Sequence, residues 1–260
     1  MQNKALSYHN NVNLKNMVIE EMKNHQKQDK FIKGTYGFYE YGIFKGCAIG
    51  CAISSINNAL GKSHDTNSHS ALNEELAIPL WLSKLADQFF ECLPSDACDK
   101  FAIDFLESIP VGVDLEPIRI KLCIMLLKES IETIHDKEGI LLPVKEEVLE
   151  VLQGSLSLYE SALKTGAWNT EVSNDFIKKV EHVAMKASIH FPYNVSHLAN
   201  VALQSVRTDS DAIHRMFFSS TIGSYDGKLP SEVIGNAYIG HANQLLELLK
   251  NSGDKNDNSH

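Results

Sequence analysis

Apolar residues recur three and four positions apart along almost the whole chain, and this spacing limits the possible folds more than any other feature. Gly61 ends one such stripe, whose members are Ala48, Ile49, Ala52, Ile53, Ile56 and Leu60. The spacing is typical of amphipathic helices, whereas strands alternate apolar and polar residues at every second position. Only residues 38–44 could alternate in that way, and only briefly. We therefore predict an all-α fold, a compact bundle-like arrangement of about ten helices with little or no β-structure.

The only plausible division of the chain lies at residues 136–142, where charge, glycine and proline cluster between two long helical patterns. Seven residues are a normal connection between helices and too short for an independent linker. We predict an N-terminal helical half over residues 1–135, which carries the cysteine motif described below. A C-terminal half over residues 140–250 is expected to pack on it. The polar residues 251–260 are predicted to be a disordered tail.

Composition narrows the possible settings and partners. A chain of 260 residues with 43% hydrophobic residues can bury a full core. The formal net charge of -9 argues against nucleic-acid binding, which needs a basic face. No apolar run reaches the length of a membrane span, the N-terminus lacks a secretory signal, and five cysteines are an odd, irregularly spaced set. We expect a cytoplasmic protein with a protein partner, no membrane or nucleic-acid partner, and no cofactor.

Two of the five cysteines stand close together in the motif Gly46-Cys47-Ala48-Ile49-Gly50-Cys51. The helical stripe begins directly after Cys47, so the motif is predicted to lie where a loop enters a helix. Free backbone N–H groups and the positive end of the helix dipole favour a thiolate at such a position. The motif is therefore the first place to look for thiol chemistry.

Three interpretations of this motif remain open. Cys47 or Cys51 could be the nucleophile of a thiol-dependent hydrolase or transferase, with His64 or His69 as its base. The spacing Cys47-x3-Cys51-x12-His64-x4-His69 also fits a loose Cys2His2 zinc site. However, zinc fingers place their histidines, not their cysteines, on the helix, and we assign no metal ligand. The simplest interpretation is that small residues let this helix pack closely against its neighbours.

Aromatic residues cluster just before the cysteine motif. Tyrosine and phenylalanine on a glycine-bearing loop offer contact area at little cost in rotamer entropy. The candidate binding residues are Tyr36, Phe38, Tyr39 and Tyr41. They predict either a recognition surface or a loop that folds over the core with its hydroxyl groups hydrogen-bonded.

Several short motifs over residues 31–116 together resemble a group of uncharacterised bacterial and phage-associated proteins. The motifs are Gly34-Thr35-Tyr36-Gly37, the glycine–cysteine motif, and Ile78-Pro79-Leu80 followed by Asp87, Phe90, Glu91 and Pro94. Ala77 stands where glycine is expected, before Ile78 and Pro79. The resemblance implies no particular activity. We predict a protein-binding or regulatory module, with the thiol-dependent hydrolase or transferase, or the Cys2His2 site, as the alternative.

Overall fold

A computed structural model describes residues 5–28, 31–137, 142–166, 172–207, 209–224 and 231–253. These ranges contain eleven α-helices and one two-stranded sheet, which confirms the predicted all-α fold. None of the described helices is both long enough and apolar enough to cross a bilayer.

Contacts group the chain into two units, residues 1–118 with 235–260, and residues 119–234. This grouping differs from the predicted halves 1–135 and 140–250, because the end of the last helix returns to the first unit. There the hydroxyl of Tyr238 accepts a hydrogen bond from Gln88 at 2.7 Å, and its ring contacts Phe89 edge-on. The predicted connector and tail include residues 138–141 and 254–260, which lie outside the described residues.

The first unit is built mainly from five helices and a hairpin. The helices are α1 (Val12–Lys27), α2 (Ala48–Leu60), α3 (Ser70–Leu76), α4 (Leu80–Cys92) and α5 (Ser95–Ser108). The hairpin strands are β1 (Phe38–Glu40) and β2 (Ile43–Lys45). Helix α2 contacts α1, α3 and α4, and its residues 48–56 are all buried. This explains why its stripe reads as almost continuously apolar.

Both ends of α2 agree with the sequence prediction. Cys47 precedes the helix in an extended conformation, and its Sγ accepts a hydrogen bond from the backbone N–H of Gly50 at 3.4 Å. Gly61 ends the helix with a φ of 64°, a left-handed conformation that glycine adopts without a steric cost. The loop-to-helix junction predicted at Cys47 is thus confirmed.

The hairpin occupies the brief alternating segment. Phe38 pairs with Lys45, Tyr39 with Phe44, and Glu40 with Ile43, so two residues form the turn. Those residues, Tyr41 and Gly42, have positive φ values of 51° and 78°. Two positive φ angles are the signature of the tight turn that matches the twist of hairpin strands.

Helices of the second unit surround α9. They are α7 (Leu142–Thr165), α8 (Asn174–His190), α9 (Tyr193–Ser205) and α10 (Ala212–Gly223), whereas α6 (Glu116–Asp136) and α11 (Ser231–Lys250) each cross the division between units. Alanines of α9 are fully buried, and α9 contacts α7, α8 and α10. Ser173 caps α8 by accepting a hydrogen bond from the N–H of Phe176 at 3.2 Å.

Candidate functional site

The loop before the hairpin lies directly against the start of α2. The backbone N–H of Ile32 donates to the carbonyl of Gly46, and that of Cys47 donates to the carbonyl of Thr35, both at 2.8 Å. A Cβ added to Gly46 would lie 2.6 Å from the carbonyl oxygen of Tyr36, and one added to Gly50 would lie 1.7 Å from it. Only glycine permits this approach of one backbone to another, which supports the packing interpretation of the motif's two glycines.

Two carboxylates of α4 lie close to Cys47 at the start of α2. Asp87 and Glu91 lie four residues apart and therefore on one face of the helix. The carboxylate of Glu91 accepts a hydrogen bond from the N–H of Gly34 at 2.9 Å. One carboxylate oxygen of Asp87, one of Glu91 and the Sγ of Cys47 all lie within 4.8 Å of one another. We call these three residues the thiol–carboxylate cluster.

One of the two predicted histidines is hydrogen-bonded to a member of this cluster. The Nε2 of His69 lies 3.1 Å from the Oδ2 of Asp87, and its ring contacts the ring of Tyr36 edge-on. His64 instead lies with its Nε2 2.8 Å from the Oε1 of Glu75, a carboxylate that also pairs with Lys62. The structure thus brings His69, and not His64, to the neighbourhood of Cys47.

The Cys2His2 arrangement is not formed. Cys51 is buried one turn into α2, and its Sγ donates to the carbonyl of Gly46 at 3.4 Å. Within the described ranges, the set of three potential ligands that shares one space is Cys47, Asp87 and Glu91. The Cys2His2 alternative is therefore not supported, because His64 is paired with Glu75 instead.

The electrostatic environment of Cys47 differs from the sequence expectation. Burial raises the pKa of its thiol, and the neighbouring charge of Asp87 raises it further. The N–H groups of Gly50 and Ile49 lower the pKa, as expected at a helix start, but by less. Desolvation of a buried thiolate outweighs the field of one helix end. The thiol is therefore protonated at neutral pH in this conformation.

Burial also raises the pKa values of two acidic neighbours of the thiol. It raises the pKa of Tyr36 to about 12, with the charge of Asp87 as the second cause. It also raises the pKa of Glu91, against the hydrogen bond from Gly34, which lowers it. Acidic groups gathered in a partly enclosed space each disfavour the ionised form of the others.

These features give little support to Cys47 or Cys51 as a nucleophile. A nucleophilic cysteine needs a base within hydrogen-bond reach and a path for its substrate. The Nε2 of His69 is instead hydrogen-bonded to Asp87, and Cys47 is only 1% exposed. The thiol-dependent hydrolase or transferase remains a prediction that this geometry does not favour.

The hairpin presents the predicted aromatic residues to solvent. Tyr39 is 72% exposed and Tyr41 is 98% exposed. Phe38 and Ile43 are nearly half exposed, and we call these four residues the hairpin surface. Tyr36, the remaining predicted binding residue, is 40% exposed and lies between the hairpin and the thiol–carboxylate cluster.

Sequence reasoning missed the position of Asp87 and Glu91 beside Cys47. The sequence places them in a helix with i, i+4 spacing, but this spacing shows only that they share one helix face and not what that face contacts. No sequence signal indicates that a loop more than fifty residues earlier, at Gly34, closes over them. Tertiary packing alone brings Cys47 to them.

No protein-family model, curated protein or solved structure matches this chain. The resemblance to bacterial and phage-associated proteins therefore stays a prediction. A function can therefore be argued only from the geometry and chemistry of the residues described above.

Proposed function

We propose that this protein is a protein-binding module whose contact surface is the hairpin surface. The observation that carries the proposal is the state of Tyr41, which is 98% exposed and has a φ of 51°. A large aromatic side chain at this position gains almost no burial within its own chain.

The turn is also a costly place for tyrosine. Side chains other than glycine, asparagine and aspartate rarely adopt positive φ, and the strain is about 1 kcal/mol. Asparagine followed by glycine is the preferred sequence for such a turn. Tyr41 thus lowers the stability of the isolated protein, and an aromatic contact with a partner accounts for its presence.

The hairpin is held in place before any partner binds. Its own Phe44, on β2, is buried and contacts Tyr39 and His25 edge-on. The bond from Gly34 to Glu91 secures the loop that leads into it. A surface that is already ordered loses little entropy on binding, and tyrosine adds few rotatable bonds.

The partner's chemistry follows from charge. Lys45 is the only basic residue on the two strands, and it pairs with Glu40 at 2.7 Å. With a formal net charge of -9, the protein lacks the excess of positive charge on which nucleic-acid affinity depends. Tyrosine and phenylalanine surrounded by neutralised charges are typical of protein interfaces.

Site-specific photo-crosslinking tests the proposal. A photoreactive amino acid at position 41 should capture one partner protein from cell extract. The same amino acid at position 193 should not capture it, although Tyr193 is similarly exposed at 68%. The purified partner is then titrated calorimetrically against wild type, the Tyr39→Ala, Tyr41→Ala double variant, and Tyr193→Ala as a matched control.

We expect the double variant to weaken binding at least tenfold, since central aromatic residues contribute more than about 1 kcal/mol each. Tyr193→Ala should bind like wild type. Equal affinity of the double variant and wild type, or equal capture at positions 41 and 193, would refute the proposed contact surface.

A further inference from the structure

We propose that the thiol–carboxylate cluster of Cys47, Asp87 and Glu91 is a zinc-binding site. This inference is independent of the hairpin surface and adds an ion-binding property to the protein. It rests on the three donor atoms, on how each is held, and on an enclosed carboxylate oxygen that has no hydrogen-bond partner.

The donor set suits Zn²⁺. Zinc binds cysteine sulfur at about 2.3 Å and carboxylate oxygen at about 2.0–2.2 Å, which separates tetrahedral ligands by about 3.5 Å. The three donor atoms already lie within 4.8 Å of one another, so small side-chain rotations bring them to that separation. Because one donor is a thiol, the site favours zinc over magnesium or calcium, which prefer oxygen.

Each ligand is oriented by a second contact. The N–H of Gly50 donates to the Sγ of Cys47, His69 is hydrogen-bonded to the Oδ2 of Asp87, and the N–H of Gly34 donates to Glu91. Outer hydrogen bonds of this kind fix the orientation of metal ligands in proteins.

One oxygen of Asp87 lacks a partner. Its Oδ1 is enclosed and makes no hydrogen bond of acceptable geometry in the described part of the chain, although the Cys47 thiol and the Tyr36 hydroxyl lie beside the same carboxylate. Buried carboxylate oxygens are normally satisfied, because an unmade hydrogen bond there is costly. Lys33 makes no hydrogen bond to the carboxylates of Asp87 and Glu91, because its Nζ donates to the backbone carbonyl oxygens of Glu91 and Leu93. A divalent cation would satisfy the oxygen and balance both carboxylates.

Cobalt titration tests the site directly. The 260-residue chain, purified with a chelator, is titrated with Co²⁺ while thiolate-to-cobalt charge transfer is followed in the near ultraviolet. We expect one Co²⁺ per chain, with the band lost when Zn²⁺ displaces it. Zn²⁺ affinity is then measured by competition with a chromophoric chelator.

Three variants and one control identify the ligands. Cys47→Ser should abolish the charge-transfer band, and Asp87→Asn and Glu91→Gln should each weaken Zn²⁺ affinity at least tenfold. Cys98→Ser is the matched control, because Cys98 is a buried thiol 3.4 Å from the carboxylate of Asp99 but outside the cluster. It should bind as wild type does.

Glu91→Gln keeps an oxygen that can accept the bond from Gly34, so it tests the site even if Cys47→Ser fails to fold. Absence of saturable one-to-one binding, or equal loss of affinity in Cys98→Ser, would overturn the proposal. The Tyr39→Ala, Tyr41→Ala double variant should retain wild-type metal affinity, so the two proposals can fail separately.

Discussion

At the level of single residues, Gly50 accounts for part of the cysteine motif. The atom that a Cβ would strike is the carbonyl oxygen of Tyr36, at 1.7 Å. A backbone atom cannot rotate away as the end of a side chain can, so either the loop or the helix must move. Helical glycines normally lower stability relative to alanine, and here the packing requirement outweighs that preference.

We expect Gly50→Ala to lower the free energy of unfolding by about 1–3 kcal/mol, as overpacking does elsewhere. Gly240→Ala is the matched control, because Gly240 lies within α11 with nothing within 4 Å of an added Cβ. It should raise stability by up to about 1 kcal/mol through helix propensity. Urea unfolding measures the free energy of unfolding of both variants. A change of the same sign in the two would contradict the explanation that close packing requires glycine at position 50.

Among secondary-structure elements, the β1–β2 hairpin combines local strain with solvent exposure. Its tip places Tyr41 and Gly42 at positive φ, and the strands extend only three residues each. Strands this short depend strongly on their turn. The turn is therefore a place where stability and the proposed binding function oppose each other.

Tyr41→Asn should stabilise the hairpin by about 0.5–1 kcal/mol, because asparagine adopts positive φ at lower cost. Hydrogen exchange of the strand amides should slow accordingly, while affinity for the captured partner falls. Gly42→Ala should change exchange in the opposite direction, because alanine at a φ of 78° is strained. If exchange is unchanged in both variants, turn strain does not limit hairpin stability.

For the whole chain, the buried thiol of Cys123 makes the free energy of unfolding depend on pH in the alkaline range. Burial raises the pKa of Cys123 to about 11, while Tyr159 and Arg119 lower it by less. Between pH 9 and 11 the unfolded chain loses this proton, whereas the folded chain keeps it. Stability therefore falls as pH rises through that range, by about 2–3 kcal/mol for this thiol.

Cys123→Ala tests this dependence. The Sγ of Cys123 lies 3.9 Å from the Sδ of Met216, so the variant should lose about 1 kcal/mol at pH 7 through lost contacts. Its deficit relative to wild type should shrink from pH 8 to pH 10.5 in urea unfolding. Parallel pH curves for the two proteins would show that the thiol does not titrate as described.

Much of the fold could be predicted, because helix periodicity and caps are local. Gly61 ends α2 as predicted. Proline suits the start of a helix, and Pro79 immediately precedes the first residue of α4. Ala77, where glycine is expected from the resemblance, has a φ of 50°, so the backbone at this position does favour glycine.

The candidate site was only partly predictable. The aromatic residues of the hairpin segment were expected as a binding surface, because tyrosine and phenylalanine on a glycine-bearing loop offer contact area at little cost in rotamer entropy. Asp87 and Glu91 were not expected, since their relation to Cys47 depends on contacts between residues about forty positions apart. The direction in which the pKa of Cys47 shifts also depends on those contacts and not on the helix start alone.

The amino-acid order alone determined the helices, their ends, and the placement of Cys47 where a loop enters α2, since these follow from interactions within a few residues. Only the tertiary structure decided which side chains meet. It brought Asp87 and Glu91 to Cys47, paired His64 with Glu75, and left Tyr41 in solvent. The physical reason is that burial and charge depend on neighbours distant in sequence, whereas helix formation depends on neighbours one turn away.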